Sequence, residues 1–193
     1  MHQTIRLITL CTALVFSSLV LAAETGQGKP LAEDTAMTTV AGNTFTAPAD
    51  WTVTVKGPAT FLSPPEEGSV LVLVDVEAAD AEGAVAAAWA AYMEHDWALK
   101  ESGDRADNDG WTRRKSFDYQ TSPNEKRAVA AGAWYANDMW TVWIYNMANA
   151  VGGKRGAAVN LALSSLRPKG YARETFAGKK ANKLDDARLA ELT

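Results

Sequence analysis

Beyond its first two dozen residues the sequence has no cysteine and only one histidine. The single cysteine, Cys11, lies in the apolar run from Leu7 to Leu21, and the two histidines are His2 and His95. The rest of the chain therefore has no disulfide and no thiol nucleophile, although export to an oxidising compartment would permit a bridge. One histidine without cysteine also leaves no cluster of the kind that holds zinc. Equally missing are Gly-x-Ser-x-Gly, His-Glu-x-x-His, a phosphate-binding glycine loop with its lysine, and the dinucleotide-binding fingerprint. Ser-x-x-Lys chemistry needs the lysine one helical turn after the serine. Ser122 with Lys126 and Ser165 with Lys169 are each one residue too far apart. A triad would have to join His95 to a serine such as Ser122, and no spacing places them together. Asp104, Asp107 and Asp109 in "DRADNDG" imitate a calcium loop, but Arg105 intervenes and no glutamate closes it at the required distance. No catalytic residue, metal or cofactor is expected within these 193 residues.

What is present starts with Arg6, the apolar run behind it, and the small residues of "VLAA". This is the pattern of a secretory signal peptide over residues 1–23, cleaved after Ala22 or Ala23. The run is short for a membrane span, and Leu10 before Cys11 is too large for a lipoprotein cleavage site. A periplasmic or secreted location is expected, with no stable span after cleavage. Without Arg6, 18 Lys plus Arg face 23 Asp plus Glu, a net charge near −5. That balance disfavours a nucleic-acid partner.

Residues 24–37, polar with Gly and Pro, read as a flexible N-terminus. From residue 38 to 178 the pattern is that of one α+β domain, followed by a tail or truncated linker over residues 179–193. Within the domain, "TTVAGNTFTAP" suggests a hairpin turning at Gly42-Asn43, and Trp51 to Val55 alternates with period two. "SVLVLVDVEA" is the strongest strand signal, and its near-continuous apolar run predicts a central strand covered on both faces. Asp80 can cap a long amphipathic helix carrying Val85, Trp89, Met93 and Trp97 along one stripe. "ESGDRADNDG" reads as a turn. Strands follow over Trp111 to Gln120, Arg127 to Tyr135 and Met139 to Asn146, joined by turns short enough to require antiparallel neighbours. A second helix, with Ala158, Leu161, Ala162, Ser165 and Leu166 on one face, is expected to pack beside the first and to end at Pro168 and Gly170. A short helix is expected from Leu184 to Leu192.

Seven tryptophans, at 51, 89, 97, 111, 134, 140 and 143, place large apolar groups on both sheet faces. Core packing explains them more economically than a carbohydrate or peptide groove. Ser122-Pro123-Asn124 is good turn chemistry. Strand ends and turns nominate Trp111, Arg113, Arg114, Lys115, Glu125, Lys126 and Arg127 as a recognition surface. His95 is expected to be partly exposed at the helix boundary.

The blocks "SPPEEGSVLVLVDVEAADAEGAVAAAWAAY", "GW", "YQTSPNEKRAV" and "GKRGAAVNLALSSLRPKGYARETFAGKKANKLD", spread over roughly residues 48 to 190, resemble the N-terminal, non-catalytic region of secreted bacterial serine hydrolases related to beta-lactamases and penicillin-binding proteins. The resemblance implies that the nucleophilic serine and lysine belong to a downstream domain, so no functional residue transfers to this chain. The order hairpin, strand, long helix, antiparallel strands, helix is also similar to the Mog1/PsbP-like α/β sandwich, a scaffold associated with binding and assembly. Together these imply an accessory or binding domain without chemistry of its own. Its partner would be an unknown protein or cell-envelope component. The alternative is the accessory domain of a longer or split serine hydrolase.

Overall fold

The computed structural model describes residues 28–172. The signal segment and the short helix expected over residues 184–192 lie outside them. The elements are β1 (Thr35–Thr38), β2 (Thr44–Ala47), β3 (Thr52–Lys56), β4 (Ala59–Ser63), β5 (Val70–Val76), α1 (Ala81–Tyr92), β6 (Leu99–Arg105), β7 (Thr112–Tyr119), a 3₁₀ turn (Pro123–Glu125), β8 (Arg127–Ala136), β9 (Met139–Ala148) and α2 (Asn149–Ser164). β3 to β9 form one seven-stranded antiparallel sheet in the order β3-β4-β5-β9-β8-β7-β6, and β1 pairs with β2 in a separate hairpin. Among the described residues no helix is long and apolar enough to cross a membrane.

β5 and β9 are apolar on both faces, and this dictates the layers. Val72, Val74, Val142 and Ile144 point to one side, where Ala84, Val85, Ala88 and Trp89 of α1 cover them. Leu71, Leu73 and Met147 point to the other, beneath Phe45 and Ala47 of β2 and Val159 and Ala162 of α2. The two helices therefore lie on opposite faces of the sheet and not side by side as expected. The reason is in the connections. α1 leaves β5 and must reach β6 at the far edge, so it crosses over β9 and β8 on one face. α2 follows β9 directly and turns back onto the other. Tyr145 packs against that return, its hydroxyl lying where a Cβ at position 152 would be.

Three further differences from expectation have local causes. The ordered chain begins before residue 38: Leu31 donates to the Trp51 carbonyl at 2.9 Å and accepts from Asp50 at 2.8 Å, so the end of the supposed flexible N-terminus is tied to the core. α1 stops at Tyr92, where Met93 turns extended, and Trp97 belongs to the loop beyond it. Finally, Leu99–Arg105 is an edge strand where a turn was expected. Its polar, charged sequence LKESGDR suits a strand with one unpaired side facing water.

A buried polar staple fastens the β1–β2 hairpin to the sheet. Asn43 (6% exposed), Asp75 (7%) and Thr141 (1%) lie between the layers. Asn43 Nδ2 donates to Asp75 Oδ1 (3.1 Å) and Thr141 Oγ1 (2.8 Å), and the Thr141 hydroxyl donates to Asp75 Oδ1 (2.8 Å). The Ala41 amide donates to Asp75 Oδ2 (2.8 Å), and the Lys169 amide closes the network on Asn43 Oδ1 (2.9 Å). A carboxylate buried this deeply is tolerated only because each oxygen has a donor. At the other end of α2, Arg155 and Lys154 grip Glu66 of the β4–β5 loop, and their hydrogen bonds hold its pKa at about 2.

Asn43→Ala should lower the unfolding free energy by about 1–3 kcal/mol, since it leaves the buried Thr141 Oγ1 without a donor and the Lys169 amide without its acceptor. Urea denaturation measures this, and a loss below about 0.5 kcal/mol would mean that the staple contributes no more than an exposed polar contact.

Candidate functional site

The seven nominated residues separate into two groups at opposite ends of the β7–β8 hairpin. The register that pairs Thr112 with Tyr135 and Asp118 with Ala130 puts Arg113 to Lys115 at one end and Glu125 to Arg127 at the other. The separation is about 20 Å at the usual rise per strand residue. Trp111 belongs to neither surface. It is 2% exposed, packs with Trp134 in the core under α2, and donates from Nε1 to the Leu166 carbonyl at 3.0 Å. As a recognition residue it is corrected to a structural one, because its indole nitrogen is already committed.

At the first end a β-bulge decides which way the cations point. Between Thr112 and Lys115 the strand carries one residue more than its partner, and Arg113 takes up the difference at φ 45°. A left-handed arginine is unusual, and such a bulge re-aims its side chains. Arg113 stacks its guanidinium 3.4 Å from the Tyr135 ring centroid and 5.0 Å from that of Trp140, on the α1 face. Arg114 emerges on the opposite face, 4.7 Å from the Trp134 ring, with Nη1 donating to the Ala106 carbonyl at 2.9 Å. Lys115 pairs with Glu82 of α1; the mutual hydrogen bond lowers the carboxyl pKa and raises that of the amine.

On the α2 side of the sheet, at β6 and β7, an open groove of about 660 Å³ is lined among others by Arg105, Arg114, Ser116, Asp118, Trp134 and Trp143. The Trp143 indole lies flat over Gly132, where any Cβ would collide with it. The aromatic platforms Trp134, Tyr135 and Trp140 were legible only as apolar strand residues. Their pairing with cations required the bulge.

At the second end Ser122 and Glu125 form a capping box. The Ser122 amide donates to Glu125 Oε2 at 2.6 Å and the Asn124 amide to Ser122 Oγ at 3.4 Å. Trp97 Nε1 donates to Glu125 Oε1 at 3.1 Å, so this carboxylate ties the loop after α1 to the hairpin turn. Lys126 is exposed and closes the turn at φ 47°. Arg127 reaches inward to Asn146 Oδ1 and to the Gly68 carbonyl (2.8 Å). Sequence reading missed Tyr92, Met93, Trp97 and Asn146 around it, since they come from three separate elements with no shared local pattern.

Ser122 is occupied in its cap, whereas His95 stacks between Trp89 (4.2 Å between ring centroids) and Trp97 (5.5 Å), with Tyr119 edge-on at 5.3 Å. Asp104 falls inside β6 and Asp109 pairs with Arg167 at 2.9 Å, so the three aspartates share no loop. Among the described residues no group of three or more His, Cys, Asp or Glu is placed to hold a metal ion.

Burial among these rings lowers the His95 pKa, a shift that the neighbouring Asp96 carboxylate opposes. The unfolded chain then takes up its proton first as pH falls, near 6.5. Stability should therefore fall with decreasing pH through that value and level off once the folded form is also protonated. His95→Phe should flatten this part of the profile in thermal melts between about pH 7.5 and 5; an unchanged slope would assign it to other groups.

No protein-family model and no curated protein matches the chain. Its fold is nevertheless similar to a solved one, the solution structure of cyanobacterial PsbP (CyanoP) from Synechocystis sp. PCC 6803. The TM-score is 0.52 at 15% sequence identity, over 75% of this chain and 98% of that one. The likeness is one of fold, and it bears out the PsbP-like α+β sandwich expected from the order of elements.

Proposed function

We propose that this chain is a non-catalytic accessory or binding domain, secreted or periplasmic, that recognises a protein or cell-envelope component through the Arg113 and Arg114 end of the β7–β8 hairpin. One observation carries the reading. A left-handed arginine at a bulge sends two guanidiniums to opposite faces of the sheet, Arg113 over the half-exposed Tyr135 ring and Arg114 over the buried Trp134 ring. Core packing does not need this arrangement. Strained backbone and bulges concentrate where a side chain must be aimed, and arginine with tryptophan and tyrosine are the residues that dominate binding energy at interfaces. Stacking also fixes the guanidiniums beforehand, which reduces the ordering cost of association.

Arg113→Ala with Arg114→Ala should abolish retention of a discrete periplasmic or envelope component that the immobilised wild-type domain retains. Equal retention by a double variant that melts with wild-type cooperativity would end this reading.

The blocks that resemble secreted serine hydrolases support a narrower version, in which the partner is a catalytic domain of that class. The leader over residues 1–23 supports the secretory route. Intact-mass spectrometry of the native product from a periplasmic extract separates the two versions. A species matching residues 23 or 24 to 193 favours a separate accessory protein, whereas a product several hundred residues longer makes the domain part of the hydrolase.

A further inference from the structure

The opposite end of the hairpin holds a cleft that this reading does not use. It measures about 470 Å³ and is lined by Val70, Tyr92, Met93, Trp97, Arg127 and Asn146, with Gly68 and Ser69 at its margin. That is within the usual range for small-molecule sites. One wall is apolar: Met93 is 39% exposed, and Tyr92 packs edge-on against Phe61 at 5.9 Å. The other wall is polar, and its hydrogen-bonding groups are unevenly matched.

The acceptors here are already occupied. Asn146, 3% exposed, accepts from Arg127 through Oδ1 and donates from Nδ2 to the Tyr92 hydroxyl oxygen at 3.0 Å. Gly68 gives its carbonyl to Arg127, and Glu125 gives one oxygen to the Ser122 amide and the other to Trp97. The donors are in surplus. The Tyr92 hydroxyl accepts from Asn146, which leaves its own proton free to donate. Arg127 meets only neutral acceptors, and among the described residues no carboxylate lies within 4.0 Å of it. A guanidinium has five N–H donors and is always charged. Here it is half-buried with no carboxylate in contact, and Glu125 acts on it only through space.

We propose that this cleft is a binding site for a carboxylate borne on an apolar group, with Arg127 and the Tyr92 hydroxyl donating to the carboxylate and Met93, Trp97 and Val70 covering the apolar part. Donors without acceptors select an anion, and the size and apolar lining select a compact hydrophobic substituent. A phosphate or sulfate on a sugar would leave that lining without a partner. Glu125, bonded to the Trp97 indole of the cleft wall, is a competing charge; its pKa is lowered by the Ser122 amide and Trp97 hydrogen bonds and, through space, by Arg127. Removing its charge should strengthen binding.

The test is a titration of the ¹⁵N-labelled domain with N-acetylphenylalanine and with phenylacetate, following the Trp97 indole and Gly68 amide signals, with N-acetylphenylalaninamide as the uncharged control. Both acids should shift these signals, and the amide should bind more weakly by a factor of about ten to a hundred, the usual share of a charge-assisted hydrogen bond. A preference for N-acetylphenylalanine over phenylacetate would identify the source as a peptide C-terminus, and equal affinity would identify it as a free acid. Arg127→Gln should lose binding. Since that change also strips donors from Asn146 and Gly68 and can unfold the region, two milder variants accompany it. Tyr92→Phe should weaken binding several-fold and Glu125→Gln should tighten it about twofold, as expected for removing an exposed like charge. Equal binding of acid and amide, shifts remote from Trp97 and Gly68, or no response to either milder variant would overturn the proposal. None of these results depends on whether the Arg113 end has a partner.

Discussion

The structure depends on two strands, β5 and β9, whose side chains are buried on both faces of the sheet. A half-buried strand needs one covering layer, and a doubly buried pair needs two. α1 provides one because it is the crossover from β5 to the far edge. α2 and the β1–β2 hairpin provide the other because the chain folds back after β9. This second layer is a composite of the two ends of the domain and needs its own fastening, which the Asn43, Asp75 and Thr141 staple supplies together with the pairing of Arg167 with Thr44 across β2. The interior of the domain is thus specified by apolar burial and its register by a few fully satisfied polar groups.

The same layering leaves part of the sheet surface open. α1 is 12 residues long and α2 turns back over the β5–β9 side, so neither covers the whole sheet. On the α2 side the groove lies at β6 and β7, and each end of the β7–β8 hairpin carries a polar surface. One end presents stacked cations through a bulge. The other presents an unneutralised arginine in a cleft with an aromatic wall. They share a hairpin but differ in chemistry. In the proposals made above, the first meets a macromolecular surface and the second a small anion with an apolar body.

Much of this was legible before the tertiary structure. The doubly apolar run of β5, the cap at Asp80, the alternation through β8 and β9, and the Asn137-Asp138 turn with both residues at positive φ all carry their geometry in local pattern. β6 was not legible, because an edge strand that avoids aggregation looks like a polar loop. The end of α1 was misjudged because Trp97 continues the spacing of four from Trp89. In the fold the two rings do come within 5.9 Å of each other, but Trp97 arrives by a loop and not by helix. Of the nominated surface residues, Arg113 and Arg114 stack on aromatic rings and Arg127 lines a polar cleft, whereas Trp111 is buried. A tryptophan beside a turn reads the same in either role.

The sequence by itself determined the class of the domain, its central strands and the types of its turns, because these follow from alternation, caps and residues tolerant of positive φ within a few positions of one another. Only the tertiary structure decided which face each helix covers, that Arg113 and Arg114 point to opposite sides, and that Arg127 shares a cleft with Tyr92, Met93 and Trp97. Those facts depend on strand order and on one inserted residue in a ladder. A change of one residue in register exchanges the faces of every side chain beyond it, and nothing local in the sequence records which partner a strand will choose.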